Sequence, residues 1–312
     1  MSKLKALLLT EGLHGMISQT EGLAKALDFD YIHEKIELNS FWKFVPTSFT
    51  PIKKFVFKNK IDGDFDIIIS CGRKSIIPSL FLKKNSKKKI INIHIQNPKI
   101  ALRHFDFIVC PEHDSLEGPN VLSTKGAIHY LTNEEINNSK DYLLNKLEKD
   151  KDIITLILGG PNKYYKYTDE NMIKIFSTIN QKIKEHNLQL VVIPSNRTPK
   201  KTIELSKGYF TDSRIIVDTV DKSAYLSSLA LAKYIVVTCD STSMISEAAL
   251  TGKPVYVAMI PALRNDKRFE RFRNLFEKLN IVKKLDNKLE TWNYEKLNEA
   301  GRIASEIKQK IN

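Results

Sequence analysis

The chain has 312 residues, 42% of them hydrophobic and 27% charged. That is room for two domains of about 150 residues, and it excludes a disordered chain, a collagen-like fibre and a disulfide scaffold. With 49 Lys+Arg against 36 Asp+Glu the net charge is +13, which directs attention to anionic partners: a phosphorylated ligand, nucleic acid or a membrane surface.

The N-terminus offers only the short apolar stretch Ala6 to Leu9 before Thr10 and Glu11, too short for a signal-peptide core, and no later run reaches the roughly 18 residues of a membrane span. The expected location is cytoplasmic. Short β-branched runs then alternate with helical segments, the pattern of a parallel sheet built from βαβ units. The expected strands are Leu4–Leu9, Phe65–Ser70, Ile90–Gln96, Phe105–Cys110, Ile153–Leu158, Leu188–Pro194, Arg214–Asp218, Tyr234–Cys239 and Pro254–Ala258. Most are apolar throughout, so both faces of each sheet are expected to be covered. Residues 131–152 turn polar and charged and mark a joint, with a helix expected at Asn133–Lys149. The organisation is therefore an N-terminal α/β domain over 1–132, a linker helix over 133–152, a second α/β domain over 153–288, and one or two amphipathic helices over 289–312. Both domains are read as doubly wound and Rossmann-like.

Polar motifs fall at the strand ends, where open α/β sheets bind ligands. In the first half these are Gly12-Leu13-His14-Gly15 followed by Gln19, then Gly72-Arg73-Lys74-Ser75, Gln96-Asn97-Pro98 and Pro111-Glu112-His113-Asp114. The first is not G-x-G-x-x-G, which disfavours a nicotinamide cofactor, and the second lacks the upstream glycine of a phosphate-binding P-loop. His14 and His113 stand where a general base is useful, with Glu112 and Asp114 flanking the latter. His94 alternates with apolar neighbours and reads as a core residue, and Asp64-Phe65-Asp66 reads as a turn. In the second half Gly159-Gly160-Pro161-Asn162-Lys163 permits close backbone approach to a diphosphate, or is a plain turn. Ser195-Asn196-Arg197-Thr198 adds hydroxyls and a cation.

Asp240-Ser241-Thr242-Ser243 opens a helix that carries Ser246 and Glu247 and stops at Gly252 and Pro254. Its N-terminal amides and dipole favour phosphate, and Glu247, four residues after Ser243, is placed to accept ribose hydroxyls. The other reading of these hydroxyls is a helix cap and nothing more. Cys71, Cys110 and Cys239 are odd in number and far apart, so neither a disulfide framework nor a zinc site is indicated. Phe41–Lys60 holds six aromatic residues and five lysines with no acid, a composition suited either to a membrane interface or to an excursion packed on the first domain. Nucleic acid is disfavoured: no binding module is recognisable, and arginine supplies only 9 of the 49 cations. Arg264, Arg268, Arg271 and Arg273 form a further cluster without an assigned role.

Pro111-Glu112-His113-Asp114, Gly118-Pro119-Asn120-Val121, Leu158-Gly159-Gly160-Pro161, Arg197-Thr198-Pro199 and the run Val237 to Ala248 resemble the mitochondrial-fission Elm family of plant proteins and bacterial homologues. The likeness runs from Leu7 to about Leu275. Asn196 departs from the arginine usual there, and Ser18 from the asparagine that usually precedes Gln19. The resemblance implies a fold like that of GT-B glycosyltransferases: two Rossmann-like domains facing across a cleft, with no bound metal and no cofactor required. It places a nucleoside-diphosphate donor at Gly159, Gly160, Ser195, Arg197, Ser241, Ser243 and Glu247, extended here to Asn162, Lys163, Thr198, Asp240, Thr242 and Ser246. The acceptor side takes Gly12, Gly15, Gln19, Arg73, Lys74, Gln96 and Asn97, with His14, His113, Glu112 and Asp114 as catalytic candidates. The expected activity is transfer of a sugar from a nucleoside-diphosphate sugar to a cell-envelope or membrane-associated acceptor, with peripheral membrane contact through 41–60. The alternatives are a nucleoside-diphosphate-sugar epimerase and a non-catalytic membrane adaptor.

Overall fold

The computed structural model describes residues 3–211, 214–286 and 288–311. Among the described residues, twelve strands form two parallel sheets of six. The first sheet comprises β1 (Lys5–Thr10), β2 (Asp30–Lys35), β3 (Ile67–Cys71), β4 (Ile91–Ile95), β5 (Phe107–Pro111) and β6 (Val121–Thr124), in the order β2-β1-β3-β4-β5-β6. The second comprises β7 (Ile153–Leu158), β8 (Gln189–Pro194), β9 (Arg214–Ile216), β10 (Tyr234–Thr238), β11 (Val255–Ala258) and β12 (Val282–Lys284), in the order β12-β11-β10-β7-β8-β9. The helices are α1 (His14–Ala26), α2 (Arg73–Asn85), α3 (Asn133–Asn138), α4 (Asp141–Leu144), α5 (Asp169–His186), α6 (Lys200–Tyr209), α7 (Lys222–Leu231), α8 (Thr242–Ala249), α9 (Lys267–Lys278) and α10 (Glu299–Ile311).

Two compact units result: Met1–Tyr130 with Asn298–Asn312, and Leu131–Leu297. In the first, Leu8, Ile67, Ile69, Ile93 and Val109 form one buried sheet face against Leu23 and Ala24 of α1 and Ile303 and Ile307 of α10. The opposite face, Leu7, Leu9 and Ile68, is covered by Ile77 of α2 and by Val56 and Phe57. Removing apolar surface on both sides of a parallel sheet is what its continuous Ile/Leu/Val strands require.

In the second unit, Ile153, Val191 and Ile193 pack against Ala224 of α7 and Leu143 of α4. The helix expected over Asn133–Lys149 is two short ones. Thr132 and Glu135 form a capping box that starts α3, and Ser139 turns its hydroxyl back onto the Glu135 carbonyl at 2.8 Å, closing the helix within a stretch of weak helix formers. Both pieces pack on α7, where Ser227 Oγ donates to the Lys140 carbonyl and accepts the Leu143 amide. Only one helix, α10, occurs in the 289–312 region among the described residues. Cys71, Cys110 and Cys239 are buried free thiols. The arginine cluster divides: Arg264, Arg268 and Arg271 face solvent, whereas buried Arg273 donates to Tyr165 Oη at 3.0 Å and pairs with Asp266 at 3.1 Å. Arg273 therefore fastens α9 to the loop after β7.

Candidate functional site

Strand order locates the site before any side chain is considered. In the second sheet the chain builds outward from β7 through β8 to β9, then returns to β10 on the other side of β7. The reversal lies between β7 and β10, and ligands of doubly wound sheets bind beyond the carboxyl ends at such a point. The residues there are Gly159 and Gly160 after β7 and Cys239, Asp240 and Ser241 after β10, flanked by Ser195 to Thr198 after β8.

These loops are knotted together by Asp240, whose side chain is fully buried. Its Oδ2 accepts the Gly160 amide at 3.0 Å and pairs with Arg197 Nη2 at 2.8 Å. Its Oδ1 lies 2.6 Å from the Tyr167 hydroxyl, which is also 2.8 Å from Thr238 Oγ1. Burial and the Asp240 charge push the Tyr167 phenol well above its ordinary range, so it remains a hydrogen-bond donor. Arg197 Nη1 donates to the Gly160 carbonyl at 2.7 Å, while Ser195 Oγ and Thr198 Oγ1 donate to the Gly159 carbonyl. The two glycines are needed by this knot. A Cβ on Gly159 meets Asp240 Oδ2 at 2.2 Å, and one on Gly160 meets the Arg197 carbonyl oxygen at 2.1 Å. Thr238 and Tyr167, absent from the sequence-derived candidates, belong to the same network.

Above the knot stands the first turn of α8. Ser241 caps it, its Oγ accepting the Met244 amide at 3.4 Å, and Ser241, Thr242 and Ser243 are half-buried, so this turn is partly open to solvent. Ser246 is buried and donates to the Thr242 carbonyl at 2.8 Å. Glu247 is buried too; Tyr225 Oη donates to its Oε2 at 2.7 Å, and burial raises its carboxyl to about 7. Asn162 shapes its own loop, accepting the amides of Tyr164 and Tyr165 through Oδ1. Lys163 is exposed, with its ammonium 4.9 Å from the Tyr164 ring centroid. The electrostatic outcome is specific. Arg197 is internally neutralised, and the groups that remain available are the hydroxyls and amides at the α8 N-terminus together with Lys163.

The first sheet reverses between β1 and β3. The ends meeting there are Thr10 to Gly15 and Cys71 to Ser75. Glu11, not among the sequence-derived candidates, receives the Lys74 ammonium at 2.8 Å and the Lys74 amide at 3.2 Å. Gly12 has a left-handed φ of 82°, and its amide donates to Thr10 Oγ1 at 3.0 Å. Gly15 and Gln19 lie on α1, Gln19 Oε1 being 3.9 Å from Cys71 Sγ. His14 is exposed, with Nε2 3.4 Å from the Tyr130 hydroxyl. Arg73 points elsewhere: its guanidinium donates to the carbonyls of Val45 at 2.8 Å and Lys43 at 2.5 Å.

Gln96 and Asn97 follow β4, Gln96 in the left-handed region at φ 86°. Asn97 Oδ1 accepts the Lys99 amide at 3.0 Å. After β5, Glu112 is exposed and Asp114 half-buried, but His113 between them is only 3% exposed. Of the two candidate bases, His14 is thus the one presented to solvent. His94 is buried, its Nδ1 2.8 Å from Ser70 Oγ, and burial lowers it to about 3. Among the described residues no group of His, Cys, Asp and Glu could hold a metal ion, and no helix is long and apolar enough to cross a membrane.

Comparison with known proteins bears on the fold and the family. The chain is 29% identical over 280 residues to an uncharacterized protein of Rickettsia prowazekii, covering 78% of this chain and 79% of that one. It is 23% identical over 281 residues to mitochondrial fission protein ELM1 of Arabidopsis thaliana, covering 78% of this chain and 64% of the longer plant protein. Among solved structures it is similar in fold to UDP-GlcNAc 2-epimerase from Methanocaldococcus jannaschii, with a TM-score of 0.54 at 15% identity over 98% of this chain and 100% of that one. MurG of Acinetobacter baumannii gives a TM-score of 0.51 at 11% identity over 99% of this chain and 90% of that one. Both are GT-B-fold enzymes, and the two six-stranded parallel sheets described above have that architecture. The family model for mitochondrial fission ELM1 matches residues 14–311, so the chain belongs to the mitochondrial fission ELM1 family.

Proposed function

We propose that this chain binds a nucleoside-diphosphate sugar at the β7/β10 end of the second sheet and transfers the sugar to a cell-envelope or membrane-associated acceptor. The observation that carries the reading is the coincidence of the strand-order reversal with the solvent-reaching first turn of α8. Departure of a nucleoside diphosphate builds negative charge on its β-phosphate. In this reading the α8 N-terminus, the hydroxyls of Ser241, Thr242 and Ser243, and the Lys163 ammonium stabilise that charge without a metal. Asp240, Arg197 and the two glycines hold those donors in position. Glu247, beneath the same turn, is the ribose-side acceptor, and His14 is the base that takes the acceptor's proton. The bond broken joins the anomeric carbon to the diphosphate oxygen; the bond made joins that carbon to the acceptor oxygen.

The test is a melting-temperature panel with UDP, GDP, UDP-GlcNAc and GDP-mannose. Ligand present at about a hundred times its Kd stabilises by about 2.7 kcal/mol, a shift of several degrees. A panel that leaves the melting temperature unmoved overturns the proposal and leaves the adaptor reading. The epimerase reading draws on the similarity in fold to the Methanocaldococcus jannaschii enzyme. An epimerase alters the donor sugar with no acceptor present, so proton NMR of UDP-GlcNAc incubated with the protein alone separates the two activities.

A further inference from the structure

We propose that residues 38–60 form a prebuilt docking surface for an anionic lipid bilayer. The inference deepens the acceptor side of the proposed function and names the surface to which the acceptor's lipid belongs. The segment leaves the first sheet after β2 and returns before β3 through three single turns at Ser40–Lys43, Thr47–Phe49 and Lys54–Val56. Four phenylalanines stand out of it: Phe41, Phe44, Phe49 and Phe55 are 69%, 88%, 78% and 58% exposed. Single exposed apolar residues are ordinary on protein surfaces, but four large rings within fifteen residues are not.

Two of the rings, Phe41 and Phe55, pack on Trp42, and the backbone that carries the segment is anchored. Trp42 stacks edge-on against Phe41 at 4.9 Å and lies 5.8 Å from Phe55. Beneath them Val56 and Phe57 are buried in the core, and Leu38 bridges to Phe57. Asn39 Nδ2 donates to the Phe55 carbonyl at 2.6 Å, and Arg73 binds the carbonyls of Lys43 and Val45. The segment also borders a concavity of about 440 Å³ with Ile52, Ile77, Leu80 and Ile100 in its wall. A surface fixed in this way loses little conformational entropy on docking.

Charge selects the occupant. Between Glu37 and Asp62 there are five lysines and no acid. Lys58 and Lys60 approach Glu37 and Asp62 at the margins, at 3.6 and 3.4 Å, and Lys54 caps the Asn59 carbonyl, while Lys43 and Lys53 are exposed. Rings that sit at headgroup depth beside lysines that meet anionic headgroups are the two components of interfacial binding. Four projecting rings in a lysine field match a fluid anionic interface.

The test is co-sedimentation of the full chain with phosphatidylcholine vesicles, with and without phosphatidylglycerol. Wild type is expected to partition onto the phosphatidylglycerol vesicles only, less so as salt is raised, and Trp42 emission, isolated in a Trp292→Phe background, is expected to shift to the blue. The double variant Phe44→Ser/Phe49→Ser, whose side chains lie almost wholly in solvent, is expected to keep the wild-type melting temperature and lose binding by about tenfold or more. Lys43→Glu/Lys53→Glu is expected to remove most of the salt-dependent part. Absence of wild-type binding, or equal binding by the phenylalanine variant, overturns the proposal. So does a vesicle-free dimer in analytical ultracentrifugation that the phenylalanine variant dissolves, since the occupant is then a second copy. None of these readouts involves nucleotide, so their failure is separate from failure of the donor panel.

Discussion

Asp240→Ala removes the carboxylate on which three strand-end loops converge, and its cost follows from what each partner does next. Arg197 is 42% exposed and regains water, so its loss of pairing is cheap. The Gly160 amide is buried and left without an acceptor, a penalty of about 1–3 kcal/mol. Tyr167 keeps Thr238 but loses a charge-assisted bond at 2.6 Å, worth a further 1–2 kcal/mol or so. Together the loss is about 3 kcal/mol, or roughly 6–12 °C at about 2–4 °C per kcal/mol for a unit of this size. Trp292 lies in the second unit, packed 5.2 Å from Tyr256, and Trp42 lies in the first. A Trp42→Phe background therefore allows the second unit's melting to be followed by fluorescence alone. Asp240→Asn retains an acceptor for the Gly160 amide and is expected to lose about a third as much. If Asp240→Ala melts within a degree or two of wild type yet no longer responds to nucleotide, the reasoning is refuted, because Asp240 is then a ligand group and not the tie between loops.

Gly160→Ala places a methyl group 2.1 Å from a backbone carbonyl oxygen, which cannot rotate away. Its melting temperature is expected to fall at least as far as that of Asp240→Ala, whereas a glycine kept only for ligand approach would leave the melting curve unchanged. Lys163→Ala is expected to leave stability unchanged, since the side chain is exposed, and to weaken diphosphate binding about fivefold with a shallower salt dependence, read by calorimetry. Glu247 gives a pH signature. Burial raises its carboxyl from 4.5 to about 7, so between those values the folded chain holds a proton that the unfolded chain has released. Its contribution is complete below the lower value and is lost as pH rises to the upper, about 3 kcal/mol in all. Glu247→Gln is expected to gain on wild type by an amount of that order between about pH 5 and about pH 8, measured by urea unfolding.

What was legible in the sequence follows the physics of burial. Strands inside each sheet are apolar on both faces and read directly: Ile153–Leu158 is found as expected, and Ile67–Cys71 and Tyr234–Thr238 lie within two residues of their expected bounds. The strands not anticipated, β2, β6 and β12, are all sheet edges. Asp30–Lys35 reads DYIHEK, with none of its residues buried, so it has no hydrophobic run to announce it; it is held to β1 by the backbone ladder and by a contact of 2.7 Å between Thr10 Oγ1 and His33 Nε2. Strand ends were legible because glycine, serine and charge interrupt apolar runs there. The partners of those ends were not. Tyr167 and Glu11 are separated in sequence from Asp240 and Lys74 by 73 and 63 residues, and nothing local signals their contacts.

Charge shows most clearly what a sequence withholds. A linear reading of the strand ends counts Arg73, Lys74, Lys163 and Arg197 as cations for a phosphorylated ligand. Folded, Arg197 belongs to Asp240, Lys74 to Glu11, and Arg73 to the carbonyls that anchor residues 43–45. Three of the four cations are thus spent on placing loops, and only Lys163 keeps its charge for solvent. A diphosphate site assembled this way relies mainly on oriented neutral donors at α8, whose strength comes from preorganisation more than from net charge. The surplus of +13 therefore says little about the donor site. The lysines of 43–60 stand among rings the fold leaves exposed, and in the docking proposal positive charge there does what backbone dipoles cannot: attract an extended anionic surface.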